Sequence, residues 1–183
     1  MATESPAGEL GAKAPGFTLP GTDGRSYSLD DVRGPKGLLV VFMCNHCPYV
    51  QAALPRIVRD AQDLAQLGIG TVGINPNDSI AYPEDSFDRM VALAAEHRLP
   101  FPYLHDESQQ VARAYDAVCT PEFYGFDSQL VLRYRGRLDA SRKDPVPGAP
   151  RDLFEAMQQI AQTGTGPATQ HPAFGCSIKW RME

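Results

Sequence analysis

The sequence predicts an α/β protein: a central mixed sheet flanked by helices, with an N-terminal β-hairpin extension and a C-terminal tail. Three observations carry this. Leu38 to Met43 is an unbroken apolar run rich in β-branched residues, the pattern of a strand buried on both faces. Apolar strands then alternate with segments of helical spacing, which is how parallel strands are connected. Last, Phe123–Phe126 and Leu130–Tyr134 follow each other around an Asp127-Ser128 turn, which adds an antiparallel part.

The elements follow in order. Residues 1–13 are small and polar and are expected to form a flexible arm. Phe17-Thr18-Leu19 and Ser26 to Leu29 read as short strands around Pro20 to Gly24, whose Pro, Asp and Gly residues favour a turn. The central strand ends directly at Cys44. After Pro48, apolar positions such as Val50, Leu54, Ile57 and Leu64 recur at helical spacing up to Gly68, and Pro55 is expected to kink that helix or cost it a hydrogen bond. Ile69 to Ile74 is a second buried strand. Glu84 to His97 reads as an amphipathic helix preceded by Pro83, Phe101 to Leu104 as a strand, and Ser108 to Tyr115 as a short helix. Arg151 to Ala161 is the last helix. The organisation expected is one domain over 14–162, with residues 163–183 packing on it as a tail.

At 183 residues the chain suits a single domain with a substantial core. A net charge of −5 without a Lys/Arg cluster argues against a nucleic-acid or anionic-membrane partner. No segment has the roughly 20 apolar residues of a membrane span. The N-terminus lacks the basic start and apolar stretch of a secretory signal, so the expected location is cytoplasmic.

The 4 cysteines are Cys44, Cys47, Cys119 and Cys176, too few for a disulfide scaffold in a chain this long. The close pair therefore reads as catalytic or metal-binding. Cys44-Asn45-His46-Cys47 lies between a buried strand and a helix. Two intervening residues let the sulfurs meet across one helical turn. The helix N-terminus, with its free N–H groups, favours thiolate over thiol. On this basis Cys44 is the expected attacking cysteine and Cys47 the resolving one. His46 would stabilise the Cys44 thiolate further, and a stabilised reduced form makes a more oxidising couple. The alternative is a zinc site completed from His46, His171, Cys119 or Cys176, but the chain has no second Cys-x-x-Cys and no His-x-x-x-His. His97, His105 and His171 sit alone and read as surface or packing residues. Thr120-Pro121 is by itself a turn signal. With the upstream Cys-x-x-Cys it suggests a cis proline that exposes the preceding backbone beside the disulfide.

The Cys-x-x-Cys at a strand–helix junction, with the later Thr120-Pro121, resembles the thioredoxin-like superfamily. Ala14-Pro15-Gly16-Phe17-Thr18-Leu19-Pro20 with Asp23-Gly24 resembles the opening of the alkyl hydroperoxide reductase/thiol-specific antioxidant (AhpC/TSA) family. Val41 to Val50, Thr120 to Phe123, Tyr134 to Arg137 and Gly175 to Trp180 resemble a peroxiredoxin-like branch within it. The resemblance implies a thioredoxin-like fold, redox activity at Cys44 and Cys47, and no bound organic cofactor or metal. It implies protein or small-molecule disulfides, or peroxides, as substrates and a thiol as electron donor; the oligomeric state stays open, with a homodimer among the options.

The chain departs from the family patterns at named positions. Peroxiredoxins carry Pro-x-x-x-Thr-x-x-Cys; with Cys47 as that cysteine, Val40 and Cys44 replace the proline and threonine. Peroxiredoxins supply an arginine from the late segment where this chain has Thr120-Pro121, and Arg133 and Arg135 lie nearby in sequence. Val40 and Val41 lie where thioredoxin has a buried carboxylate, so a proton acceptor must come from elsewhere. Cys119 and Cys176 read either as small buried apolar residues or as accessory thiols.

Overall fold

The computed structural model describes residues 1–183. The centre is a five-stranded sheet in the order β6-β5-β4-β8-β9. Strands β4 (Gly37–Phe42), β5 (Ile69–Asn75) and β6 (Tyr103–His105) run parallel, and β8 (Glu122–Phe126) and β9 (Leu132–Gly136) are antiparallel. Every residue of β4 is buried, which explains its continuous apolar run. Leu39 and Val41 face one core, with α2 (Pro48–Gln66) and α5 (Asp152–Thr163). Leu38, Val40 and Phe42 face a second core built around Tyr115, Tyr124 and Phe126. The apolar stripe of α2 supplies Val50, Leu54, Ile57 and Leu64 to the first core. Pro55 sits inside this helix but on its exposed side, so the carbonyl left without a partner faces water and the helix continues.

The predicted hairpin is present as β2 (Thr18–Pro20) and β3 (Ser26–Ser28), followed by a one-turn helix α1 (Leu29–Val32) capped by Ser28. The segment read as one helix from Glu84 is two elements. A 3-10 turn at Pro83–Asp85 is separated by the Ser86 N-cap from α3 (Phe87–Glu96). Helix α4 (Gln110–Ala114) is shorter than expected.

The N-terminal end also differs from expectation. Ala2–Glu4 form β1, which pairs antiparallel with β10 (Phe174–Ser177), and β10 pairs antiparallel with β7 (Cys119–Thr120). Part of the expected arm, Ala2–Glu4, is thus a paired strand. The cause is a partner from the far end of the chain, with Ser5 N–H bonded to the Ala173 carbonyl at 2.9 Å. Such pairing leaves no local periodicity to read.

Candidate active site

Strand β4 delivers its C-terminal end to the first cysteine, with Met43 N–H bonded to the Ile74 carbonyl at 2.9 Å. Helix α2 begins at Pro48, and its N-cap is Cys47, in extended conformation. The sequence reading credited the helix N-terminus to Cys44. The free N–H groups lie instead at Cys47, because Asn45 is tied outside the helix. Its N–H donates to Asp85 Oδ1 (2.7 Å), its amide to the Glu84 carbonyl (3.1 Å), and its own Oδ1 accepts from the Tyr103 hydroxyl (2.8 Å).

Cys44 and Cys47 are both buried, at 0% and 1% exposure. Cys44 Sγ lies 3.4 Å from Thr120 Oγ1, and the Cys47 thiol donates to the Thr120 carbonyl at 3.3 Å. The Thr120–Pro121 peptide bond is cis. Thr120 is therefore the floor on which both sulfurs rest. It is held there by the fully buried Glu122, whose Oε2 accepts from the N–H groups of Val118 (2.8 Å) and Cys119 (3.4 Å) and whose Oε1 pairs with Arg135 at 2.6 Å. Arg133 is likewise taken, by Asp127 at 2.9 Å. Neither arginine named from the sequence is free to meet a cysteine.

The two sulfurs are electrostatically unequal. Donation from the Cys44 S–H is the chief influence holding Cys47 down, to about 5. The Cys176 S–H and the Val50 and Cys176 N–H groups add to it, against the cost of burial. Cys44 is pushed up by that same donation, then by burial and by the charge of Asp85. The thiolate is favoured at Cys47.

Asp85 is the residue that the sequence reading missed. It is fully buried at the end of the 3-10 turn. It accepts from Asn45 N–H and from the Asn77 amide (2.8 Å), and its Oδ2 lies 2.5 Å from His46 Nδ1. The His46 ring stacks on Tyr82 at 5.8 Å. A buried carboxylate thus does stand beside the pair, delivered by a loop rather than by β4. The only sequence trace was the acidic Glu84-Asp85 after Pro83, which reads as an ordinary helix start.

The side chains able to hold a metal are Cys44, His46 and Asp85, whose donor atoms lie within 4.8 Å of one another. His171, Cys119 and Cys176 are not in that group. His105 is buried and stacks on Phe87, and burial lowers its pKa. Cys119 is fully buried, and burial pushes its thiol up. Cys176, in contrast, stands on β10 directly opposite Thr120.

A mixed sheet whose central strand ends in Cys-x-x-Cys, with the sulfurs set against the residue before a cis proline, defines a protein of the thioredoxin-like class. Residues 10–136 match the AhpC/TSA family model, and the chain belongs to that family. It is similar over its whole length to an uncharacterized conserved protein of Geobacillus kaustophilus, at 43% identity and a TM-score of 0.95, covering 100% of this chain and 98% of the other. It is 29% identical over 123 residues to the Mycobacterium tuberculosis protein named "Putative peroxiredoxin Rv2521", covering 67% of this chain and 73% of that one. In fold it is similar to the thioredoxin domain of a thiol-disulfide oxidoreductase from Bacteroides vulgatus (20% identity, TM-score 0.63, 85% and 99% covered). No helix is long and apolar enough to cross a membrane.

Proposed function

We propose that this protein is a thiol–disulfide oxidoreductase whose redox pair is Cys44 and Cys47. The observation that carries the reading is the pairing of two buried thiols of opposite electrostatic character on one residue, Thr120, at the N-cap of a 19-residue helix. The helix N-terminus and the convergent donors favour Cys47 as the attacking cysteine in this reading, the reverse of the order expected from the sequence.

In this reading the Cys47 thiolate attacks one sulfur of a substrate disulfide and expels the other as a thiolate. Cys44 then loses its proton and attacks Cys47 Sγ. The intramolecular disulfide forms as the mixed disulfide breaks, and the second substrate thiolate leaves. The pair has given up two electrons. Asp85 with His46, within 4.8 Å of Cys44 Sγ, is the acceptor for the Cys44 proton in this reading. The reaction uses no organic cofactor and no metal, and a thiol donor returns the pair to its reduced state.

The test is a titration of the full chain in glutathione redox buffers with acid quenching and mass-resolved alkylation. The expected result is loss of two thiols, mapped to Cys44 and Cys47, along one two-electron curve. A pair that stays reduced in strongly oxidising buffer would overturn the reading. A second reading, thiol peroxidase, is favoured by the same anionic Cys47. In it Cys47 attacks a peroxide oxygen, the O–O bond breaks with release of water or an alcohol, and Cys44 attacks the Cys47 sulfenic acid so that the disulfide forms as water leaves. Rapid-mixing oxidation by hydrogen peroxide, no faster than for free cysteine, would exclude it.

A further inference from the structure

Strand β10 lies along the backbone edge of Thr120, the same residue that supports both sulfurs of the pair. The register sets Cys176 opposite Thr120 and Ser177 opposite Cys119. The approach is so close that a Cβ at Gly175 would lie 2.0 Å from the Thr120 carbonyl oxygen, so only glycine fits before the cysteine. The strand is fixed on both sides: Ala2 stands opposite Cys176, Ser177 N–H donates to the Met1 carbonyl at 2.8 Å, and Ile178 N–H donates to the Val118 carbonyl at 3.0 Å. Beyond it, Ile178 is buried in the second core and Arg113 lies over the Trp180 ring at 4.5 Å. Cys176 is therefore placed by backbone pairing and anchored on either side.

We propose that Cys176 is a third redox thiol, which takes the disulfide from Cys44 by forming a Cys47–Cys176 bond. The proposal rests on the reading of Cys44 and Cys47 as a redox pair. Directly opposite residues of an antiparallel pair project to the same face, so Cys176 shares a face with Thr120, whose Oγ1 lies 3.4 Å from Cys44 Sγ and whose carbonyl accepts from the Cys47 thiol at 3.3 Å. Exposure gives the transfer its use. Cys44 and Cys47 are buried, whereas Cys176 is partly exposed, so the exchange moves one sulfur of the disulfide to a position more open to a thiol donor. Cys119 is excluded from the relay, since it is fully buried and its sulfur reaches only the Pro121 carbonyl, at 3.9 Å.

The step is an internal exchange and needs no outside oxidant. Cys176 loses its proton and its thiolate attacks Cys47 Sγ in the Cys44–Cys47 disulfide. The Cys47–Cys176 bond forms as the Cys44–Cys47 bond breaks. The electron pair leaves on Cys44, which takes up the proton. A low-molecular-weight thiol then attacks Cys176 Sγ, and Cys47 leaves as the thiolate while the mixed disulfide forms at Cys176.

The experiment is limited oxidation of the full chain by glutathione disulfide, followed by acid quenching, alkylation and non-reducing peptide mapping. Wild type is expected to contain both Cys44–Cys47 and Cys47–Cys176. Cys44→Ser is expected to form Cys47–Cys176 within one chain and leave Cys119 free. Cys176→Ser is expected to form Cys44–Cys47 but to be re-reduced by glutathione severalfold more slowly. Adding Gly175→Ala to Cys44→Ser should remove the Cys47–Cys176 bond by lifting the strand. The proposal is overturned if Cys44→Ser gives only glutathione adducts or intermolecular dimers with Cys176 free. If Cys47–Cys176 forms in wild type and Cys44–Cys47 never does, the redox-pair reading falls and with it the transfer from Cys44.

Discussion

Replacing Asp85 by asparagine keeps the shape of a fully buried side chain and deletes its charge. The carboxylate lies within 4.8 Å of Cys44 Sγ. At an effective dielectric of about 20, a unit charge at that range acts on a thiolate with about 3.5 kcal/mol, or about 2.5 pK units. His46, in contact with the carboxylate, cancels part of this when protonated. Removing the charge is therefore expected to lower the Cys44 pKa. The measurement is the pH dependence of thiolate ultraviolet absorbance in a Cys47→Ser, Cys119→Ala, Cys176→Ser background, with and without Asp85→Asn, because removing the other three cysteines leaves Cys44 as the one thiol that titrates. The substitution also removes the proton acceptor. Disulfide closure at neutral pH should slow by about 10²-fold, the lower range of general-base contributions. A Cys44 titration that moves by less than about 0.5 unit would refute the electrostatic argument. An unchanged closure rate would refute the role as acceptor.

Further expectations follow from the same geometry. Glu122→Ala leaves Arg135 buried without its partner and should cost about 3–5 kcal/mol in urea unfolding. A cost below about 1 kcal/mol would show that the pair does not hold the Thr120 loop. Gly70→Ala drives a Cβ to 2.1 Å from the Val32 carbonyl and should destabilise by about 1–3 kcal/mol, read as a lowered urea midpoint. For pH, Cys47 sits near 5 in the folded chain, against about 8.5 when unfolded. The stabilisation from its thiolate is full above the unfolded value and is lost as pH falls through about 5. The stability gap between reduced wild type and Cys47→Ser should therefore widen from pH 5 to pH 8. Cys176 is raised to about 11 and works the other way, so its contribution fades as pH climbs past the unfolded value.

Much of the fold was legible because it is written locally. The run from Leu38 to Met43 reports a strand covered on both faces, and the repeat from Val50 to Leu64 reports one apolar stripe. The place of the Cys-x-x-Cys between a strand and a helix, and the cis bond at Thr120-Pro121, were legible for the same reason. What was not legible depends on pairing across long stretches of chain. Asp85 looks like any acidic residue at a helix start until Asn45, Asn77 and His46 converge on it. The polarity of the cysteine pair turns on where the helix begins, and Asn45's ties to Asp85, Glu84 and Tyr103 decide that. The strand at Phe174–Ser177 is four residues long and gains its partners from residues 2–4 and 119–120.

The pairing of β1 with β10 has a practical consequence at the bench. Met1 contributes a carbonyl to Ser177, and Ala2 stands beside Cys176. Residues added before Met1, such as an affinity tag, would leave the molecule next to the proposed third thiol. A tag after Glu183 would start a few residues beyond the Arg113–Trp180 contact that anchors the same segment. Thiol reactivity measured on a tagged chain would then describe the tag's effect on this strand as well as the protein, so the cleaved, untagged chain is the right material for every assay described above.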